Sequence, residues 1–240
     1  MTALNRTRWA KWLWKTPLHP QWLLGSRKTV AEWIRMQASG RVLDIGCADQ
    51  WICPHLPQGC DYTALDYLPT GGRMYGARPD VFADAARLPF GDATFDTVLL
   101  LEVMEHLKRP SQAWSEIGRV LKPGGCLLMT MPFLYPVHDA PHDYQRYTRY
   151  GVEREIASVG LAVVELEPSL GAVKSGGLLY ALALGGIASE VVASRHPAVF
   201  LLPALLAGIV GVNLASWLLA MVTPGWPALT AGYRIRATKP

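Results

Sequence analysis

Charge is scarce in this sequence: 18% of its residues are Asp, Glu, Lys or Arg, against 50% that are hydrophobic. The ratio is rich for a soluble enzyme and poor for a protein that crosses a bilayer many times, so apolar residues must be concentrated locally. Acids are rarest at the start. The first 41 residues hold Arg6, Arg8, Lys11, Lys15, Arg27, Lys28, Arg35 and Arg41 against the single acid Glu32. Such a segment favours an anionic surface, and Trp9, Trp12, Trp14 and Trp22 among the bases suit a helix lying at a lipid headgroup boundary or capping a core.

No uninterrupted apolar run follows this basic start, which argues against a cleaved secretory signal and for a domain kept in the cytoplasm. The four cysteines, Cys47, Cys53, Cys60 and Cys126, lack paired metal-ligand spacing and need no disulfides in that compartment. A third shortage concerns glycine: a nicotinamide fingerprint needs Gly-x-Gly-x-x-Gly, and the loop from Gly46 carries Ala48 and Trp51 in the later places.

From residue 41 to about 167, short apolar runs alternate with longer helical stretches, the rhythm of a parallel sheet covered by helices. Strands are predicted at residues 42–45, 62–65, 81–83, 97–101, 126–130 and 162–166. Helices are predicted at 29–37, 109–120 and 151–159, the second with Pro110 near its start and Pro123-Gly124-Gly125 closing the unit. Beyond Pro168 the composition changes. Residues 176–222 contain two charged side chains, Glu190 and Arg195, and 198–222 is an uncharged run long enough to cross a bilayer. With Ser194-Arg195-His196-Pro197 as the turn, this is a helical hairpin, and Gly185, Gly186, Gly208 and Gly211 would let its helices approach closely. A last strand at 232–238 can rejoin the sheet. The expected organisation is therefore a basic Trp-rich helical segment (1–40), an α/β core (41–170), an inserted hydrophobic hairpin (171–227) and a final core strand (228–240).

The sharpest chemical signal is Val42-Leu43-Asp44-Ile45-Gly46-Cys47-Ala48, an apolar strand that ends in an acid and a glycine where backbone can approach a ligand closely. About twenty residues on, Asp66 ends the second strand, where a carboxylate can accept from two ribose hydroxyls. Asp84, after the third strand, can take a hydrogen bond from an exocyclic amine.

In order, Asp44-Ile45-Gly46-Cys47, Asp66, Asp84-Ala85, Leu88-Pro89-Phe90, Phe95-Asp96, Glu102-Val103-Met104-Glu105-His106-Leu107 and Leu121-Lys122-Pro123-Gly124-Gly125 resemble the successive motifs of class I S-adenosylmethionine-dependent methyltransferases of the type 11-like kind. The resemblance implies a Rossmann-like α/β sheet with helices on both faces, here with the hydrophobic hairpin inserted before the last strand. It implies S-adenosylmethionine as cofactor, with Asp44, Gly46 and Cys47 around the methionine moiety and Asp66 on the ribose. Asp84 and Ala85 would contact adenine, and Glu102 and His106 would line the floor beside the sulfonium. The chain departs from the family's glycine-rich first loop at Ala48 and Gln50.

A second cluster, Tyr135-Pro136-Val137-His138-Asp139-Ala140-Pro141-His142-Asp143-Tyr144-Gln145-Arg146-Tyr147-Thr148, follows the fifth strand on the edge where open α/β sheets bind ligands. Pro141 keeps His138 and His142 off one regular helix face, so no metal is expected from this spacing. The cluster instead suits an acceptor: Tyr144, Arg146 and Tyr147 to bind it, with His138 first and His142 second as general base. Alternatively the side chains fasten a lid, with Asp143 and Arg146 paired and Tyr147 packed. The stretch is similar to the corresponding loop of bacterial methyltransferases associated with cell-surface polysaccharide and glycolipid synthesis.

Nucleic-acid acceptors are disfavoured. Adenine-amino methylation would want an Asn/Asp-Pro-Pro-aromatic turn where Glu102-Val103-Met104-Glu105 stands, and cytosine C5 chemistry a cysteine there. The expectation is an O-methyltransferase of a lipid-linked sugar or other amphipathic small molecule, cytoplasmic and attached to the membrane through residues 176–222. Alternatives are a methyltransferase of a soluble metabolite or quinone, a catalytically silent membrane-associated scaffold and, more distantly, a nicotinamide oxidoreductase. Oligomeric state is left open.

Overall fold

The computed structural model describes residues 13–240. The expected basic, tryptophan-rich start falls partly outside them: Arg6, Arg8, Lys11, Trp9 and Trp12 are not described. The described chain divides into two compact units, one of residues 27–133, 137–167 and 232–240, the other of 13–26, 134–136 and 168–231.

The first unit is a seven-stranded sheet with helices on both faces. Its elements are α1 (Lys28–Gln37), β1 (Arg41–Ile45), β2 (Asp61–Asp66), β3 (Val81–Phe82), β4 (Phe95–Leu101), α2 (Pro110–Val120), β5 (Leu121–Pro132), α3 (Arg149–Ser158), β6 (Ala162–Pro168) and, after the second unit's helices, β7 (Gly232–Thr238). The order across the sheet is β3-β2-β1-β4-β5-β7-β6. β1 to β5 run parallel, and β7 pairs antiparallel with β5, Cys126 opposite Thr238 and Pro132 opposite Gly232.

Alternation along the central strands sets the two layers. Leu43 and Ile45 of β1, with Val98 and Leu100 of β4, face one side and pack with Trp114 and Ile117 of α2 and Val152 and Ile156 of α3. Val42 and Leu99 face the other side, against Trp33 and Ile34 of α1. Pro110 opens α2, where the missing N–H is one the helix leaves unpaired in any case. Thr148 caps α3 by accepting from Gly151 N at 3.1 Å.

The break expected at Pro123-Gly124-Gly125 is a bulge inside a continuous strand. Lys122-Pro123-Gly124-Gly125 lies within β5: Gly124 N donates to Lys239 O at 2.8 Å, Lys239 N to Gly125 O at 2.9 Å, and the Lys122 ammonium grips both oxygens of Asp96 at 2.8 Å. Gly124 keeps φ +77°, and β4 pairs Phe95 with Leu121 but Thr97 with Cys126, so three extra residues of β5 bulge out at the place whose composition signals a turn.

The second unit contains the expected hairpin, α4 (Ala172–Ala193) and α5 (Leu202–Val222), joined through a 3-10 segment at Pro197–Leu201. Gly177 faces Ser216 and Gly208 faces Leu184, so one residue number falls as the other rises and the helices are antiparallel. The close approach is at Gly177, where a Cβ would stand 2.1 Å from Ser216 Oγ. Of the four glycines expected there, Gly208 meets Leu184, Gly185 meets Pro20 first and Ile209 of α5 at 4.0 Å, and Gly186 and Gly211 have nothing within 4 Å among the described residues. Asn213, fully buried, donates to Pro17 O at 2.7 Å and His19 O at 3.1 Å. Phe200, Leu218, Met221 and Val222 stand exposed, and only 11% of the most apolar window at Pro197–Val222 is buried.

Candidate active site

β1, β2 and β4 are parallel and adjacent, so their carboxyl ends present Asp44, Asp66 and Glu102 along one edge of the sheet. Asp44 is buried and accepts from the Tyr62 hydroxyl at 2.7 Å; burial pushes its carboxyl up to about 7, with Asp66 adding repulsion and Tyr62 opposing. Gly46 follows at φ +76°, and a Cβ there would lie 2.4 Å from Val103 Cγ2, so only glycine lets the first loop pass this close. Cys47 is buried, and its thiol is pushed up to about 12 by burial and by Asp44 and Asp66, which keeps it protonated.

Ala48 and Gln50, the departures from a glycine-rich loop, adopt left-handed backbones at φ 45° and 53°. The loop takes the shape glycine would favour, at a cost on the order of 1 kcal/mol per residue. Asp66 holds it in place: Oδ2 accepts from Ala48 N at 2.8 Å and Oδ1 from Tyr67 N at 2.7 Å. Burial raises the Asp66 carboxyl and these two amides pull it back down.

Asp84 accepts from Ala86 N and from the Arg109 guanidinium, both at 2.8 Å, while Ala85 is buried beside Leu88. Glu102 has φ 57° and donates its N–H to Thr130 O at 3.0 Å. Its side chain reaches solvent, yet the protein closing around it raises its carboxyl, as expected of a group at the bottom of a concavity. His106 is lowered by burial and so is neutral near pH 7.

The loop after β5 folds back onto the turn after β4. Tyr144 N donates to Glu105 O at 2.9 Å, the Gln145 amide donates to Met104 O and to Leu107 O, and His106 Nδ1 meets His142 O at 2.8 Å. His138 and His106 thereby come edge to face with centroids 4.9 Å apart. Asp143 accepts from His138 N at 2.9 Å and pairs with Arg146 through two guanidinium nitrogens, which holds its carboxyl down at about 2. His142 Nδ1 lies 3.2 Å from the Tyr144 hydroxyl, and Tyr144 is exposed. Tyr147 packs against the main core. The structure thus gathers His106, His138, His142, Tyr144 and Arg146 at one place and directs Tyr147 inward.

Three contributors escape notice in the sequence. Glu105 is fully buried between the two histidines, Gln145 clamps the loop, and Gly71 lies against Asp66. Glu105 sits beside His106 in a motif already singled out, which was the available signal; nothing local marks the other two.

Residues 43–129 match a family model described as a methyltransferase domain. Over that stretch the chain is similar to a methyltransferase domain. Over 111 residues it is 33% identical to a demethylmenaquinone methyltransferase of Renibacterium salmoninarum, covering 43% of the chain and 46% of that protein. Over 124 residues it is 32% identical to a 27-O-demethylrifamycin SV methyltransferase of Amycolatopsis mediterranei, covering 45% and 44%. The chain therefore spans about half the length of these curated relatives or less. The methyltransferase fold is shared with the 1,6-didemethyltoxoflavin-N1-methyltransferase of Burkholderia thailandensis, solved with S-adenosylhomocysteine, at TM-score 0.52 and 14% identity over 90% of the chain and 78% of that structure.

Proposed function

We propose that the protein is an S-adenosylmethionine-dependent O-methyltransferase whose acceptor is a lipid-linked sugar or another amphipathic small molecule at the cytoplasmic membrane face. The observation that carries the cofactor half is the cradle at the sheet edge. Gly46 and Gly71 let backbone pass where a Cβ would strike Val103 and Asp66, Asp66 ends β2, and the first loop is bent by left-handed Ala48 and Gln50. Asp44, Gly46 and Cys47 would hold the methionine part, Asp66 the ribose and Asp84 with Ala85 the adenine, with Glu102 and His106 on the floor.

Bound S-adenosylmethionine supplies a methyl group already activated on a sulfonium, so the protein must align and desolvate more than it must react. Glu102, with His106 and Glu105 nearby, offers polar groups on the floor whose carboxyls burial raises. The loop clamped by Gln145 and Tyr144 covers that floor and brings Tyr144 and Arg146 to the acceptor side. His138, or failing it His142, would take the proton of an attacking hydroxyl.

The membrane half rests on α4 and α5, each long and apolar enough to cross a bilayer and largely uncovered. At 1.5 Å per residue they would span about 33 and 32 Å, the thickness of the hydrocarbon core. A hairpin returns to the side it left, which keeps the catalytic unit in the cytoplasm, and the bases near the start would face the anionic leaflet. A second reading, methylation of a quinone or soluble metabolite, is favoured by the likeness to a demethylmenaquinone methyltransferase. Methyl-labelled S-adenosylmethionine incubated with the enzyme and a whole-cell extract of the source organism separates them. Label in a lipid whose headgroup is sugar supports the first, label in a quinone or in the aqueous phase the second. Thermal stabilisation by NADH but not by S-adenosylhomocysteine would overturn both.

A further inference from the structure

Glu105 is completely buried, and among the described residues neither oxygen of its carboxylate has a hydrogen-bond partner. A carboxyl group left in that condition is costly, and native proteins leave few of them. Two imidazole nitrogens flank it: His106 Nε2 lies 3.6 Å and His138 Nε2 3.8 Å from Glu105 Oε1, with the ligand atoms of all three residues within 4.8 Å of one another. These separations exceed a hydrogen bond. They come close to what a shared cation imposes, since tetrahedral ligands about 2.0–2.1 Å from Zn2+ stand roughly 3.3 Å apart.

The surroundings fix the ring orientations as a metal site requires. His106 Nδ1 is 2.8 Å from His142 O, an acceptor only, so Nδ1 carries the proton and Nε2 presents a lone pair toward Glu105. His138 Nδ1 lies 3.3 Å from Asp143 Oδ2 and takes the Arg146 guanidinium at 3.5 Å, so a carboxylate stands behind the second imidazole while its proton can sit on either nitrogen. Asp139 Oδ2 stands at the rim, 4.0 Å from His106 Nε2, on a residue with φ 50°. Exposure is graded from 0% for the Glu105 side chain to 20% for His106, 29% for His138 and 40% for Asp139, so the group opens in one direction.

We propose that Glu105, His106 and His138 bind one divalent transition-metal ion, with Asp139 as an optional fourth ligand and an open position for an oxygen of the acceptor. Two imidazoles and one carboxylate suit Zn2+, Fe2+, Co2+ or Mn2+ better than Mg2+ or Ca2+, which prefer oxygen alone. The site's purpose rests on the methyl-transfer reading: a cation here would position and acidify an acceptor hydroxyl, and His138 would act as its ligand instead of as a base. The expectation of no metal came from the spacing of His138, Asp139, His142 and Asp143. The fold assembles a different set, joining a histidine of that loop to a Glu-His pair one strand earlier.

The test uses the full chain, stripped by chelator and titrated with Co2+, reading bound cobalt by elemental analysis and its visible d–d absorption. One Co2+ per chain is expected, with affinity reduced at least tenfold in His138→Ala and in Glu105→Gln and unchanged in His55→Ala, an exposed histidine elsewhere. His138 is partly exposed, so its variant is expected to fold even if Glu105→Gln does not. Failure to bind stoichiometric Co2+, or undiminished binding in His138→Ala, overturns the site. Stabilisation by S-adenosylhomocysteine, measured in the same stripped samples, reports separately on the methyl-transfer reading. Stabilisation without Co2+ binding would sink the metal alone.

Discussion

Gly71 is pressed against the carboxylate of Asp66: a Cβ at residue 71 would stand 2.1 Å from Asp66 Oδ1. Because that carboxylate also receives Ala48 N and Tyr67 N, its position joins three segments of the expected ribose site. Asp66→Ala is expected to weaken S-adenosylhomocysteine binding on the order of 10- to 100-fold, as loss of charged hydrogen bonds would. Gly71→Ala should displace the carboxylate and act in the same direction. Unchanged affinity by calorimetry in Asp66→Ala would contradict the placement of the ribose.

Asp44 gives a prediction with a definite sign. Its folded pKa, about 7, lies above the ordinary value of 3.8, so the folded state holds its proton more tightly than the unfolded one. Its contribution is therefore best at pH below about 4 and is lost as pH rises through 7. Asp44→Asn, which preserves an acceptor for Tyr62, is expected to raise Tm relative to the parent more at pH 8 than at pH 5, and to weaken cofactor binding. A gain independent of pH would show that ionisation of Asp44 is not what opposes folding.

Asp143 shows the opposite behaviour. The Arg146 guanidinium and the His138 amide hold its carboxyl at about 2, and its side chain is 2% exposed. The stabilisation is present above the ordinary carboxylate pKa near 4 and lost as pH falls through 2, amounting to about 2 kcal/mol for a shift of this size. Urea unfolding of the parent between pH 5 and pH 2 should lose this increment, and Asp143→Asn should not.

The uncovered face of α5 is tested by charge. Leu218 is 57% exposed, so Leu218→Asp should leave Tm nearly unchanged. Placing Asp within a bilayer costs about 3 kcal/mol, which corresponds to a fall of roughly 100-fold in partitioning to anionic vesicles. If flotation is unaffected and a dimer dissociates instead, the face is an interface between copies.

His138→Ala is expected to spare S-adenosylhomocysteine binding and to lower kcat on the order of 100-fold, whether the residue serves as base or as ligand. Rescue by added imidazole in chelator-stripped enzyme would favour the base. Full activity would remove His138 from catalysis.

The sheet was legible because alternation in Val42-Leu43-Asp44-Ile45 and in Thr97-Val98-Leu99-Leu100 is a local property of half-buried and fully buried strands, and the order of acids at strand ends marks one sheet edge. The hairpin was legible from composition. Its internal packing was not: α5 is apolar all round, so nothing in the sequence selects Gly177 over Gly185 as the glycine facing the partner helix. The Glu105 cluster was hidden for another reason. His138 reaches Glu105 only because Gln145 and Tyr144, farther along, tie their loop to the turn at Met104–His106, a non-local fact.

The place of β7 has a consequence in time. β6 lies at the sheet edge and β7 is its one neighbouring strand in the described sheet, yet β7 is made after the hairpin. At roughly 5–20 residues per second, the ribosome leaves β6 without its pairing strand for about 3–13 s. During that interval the apolar α4 and α5 leave the exit tunnel ahead of the strand that seals the sheet. Any machinery that captures nascent hydrophobic segments therefore meets the hairpin first, and the enzyme would finish folding where that capture has already put it.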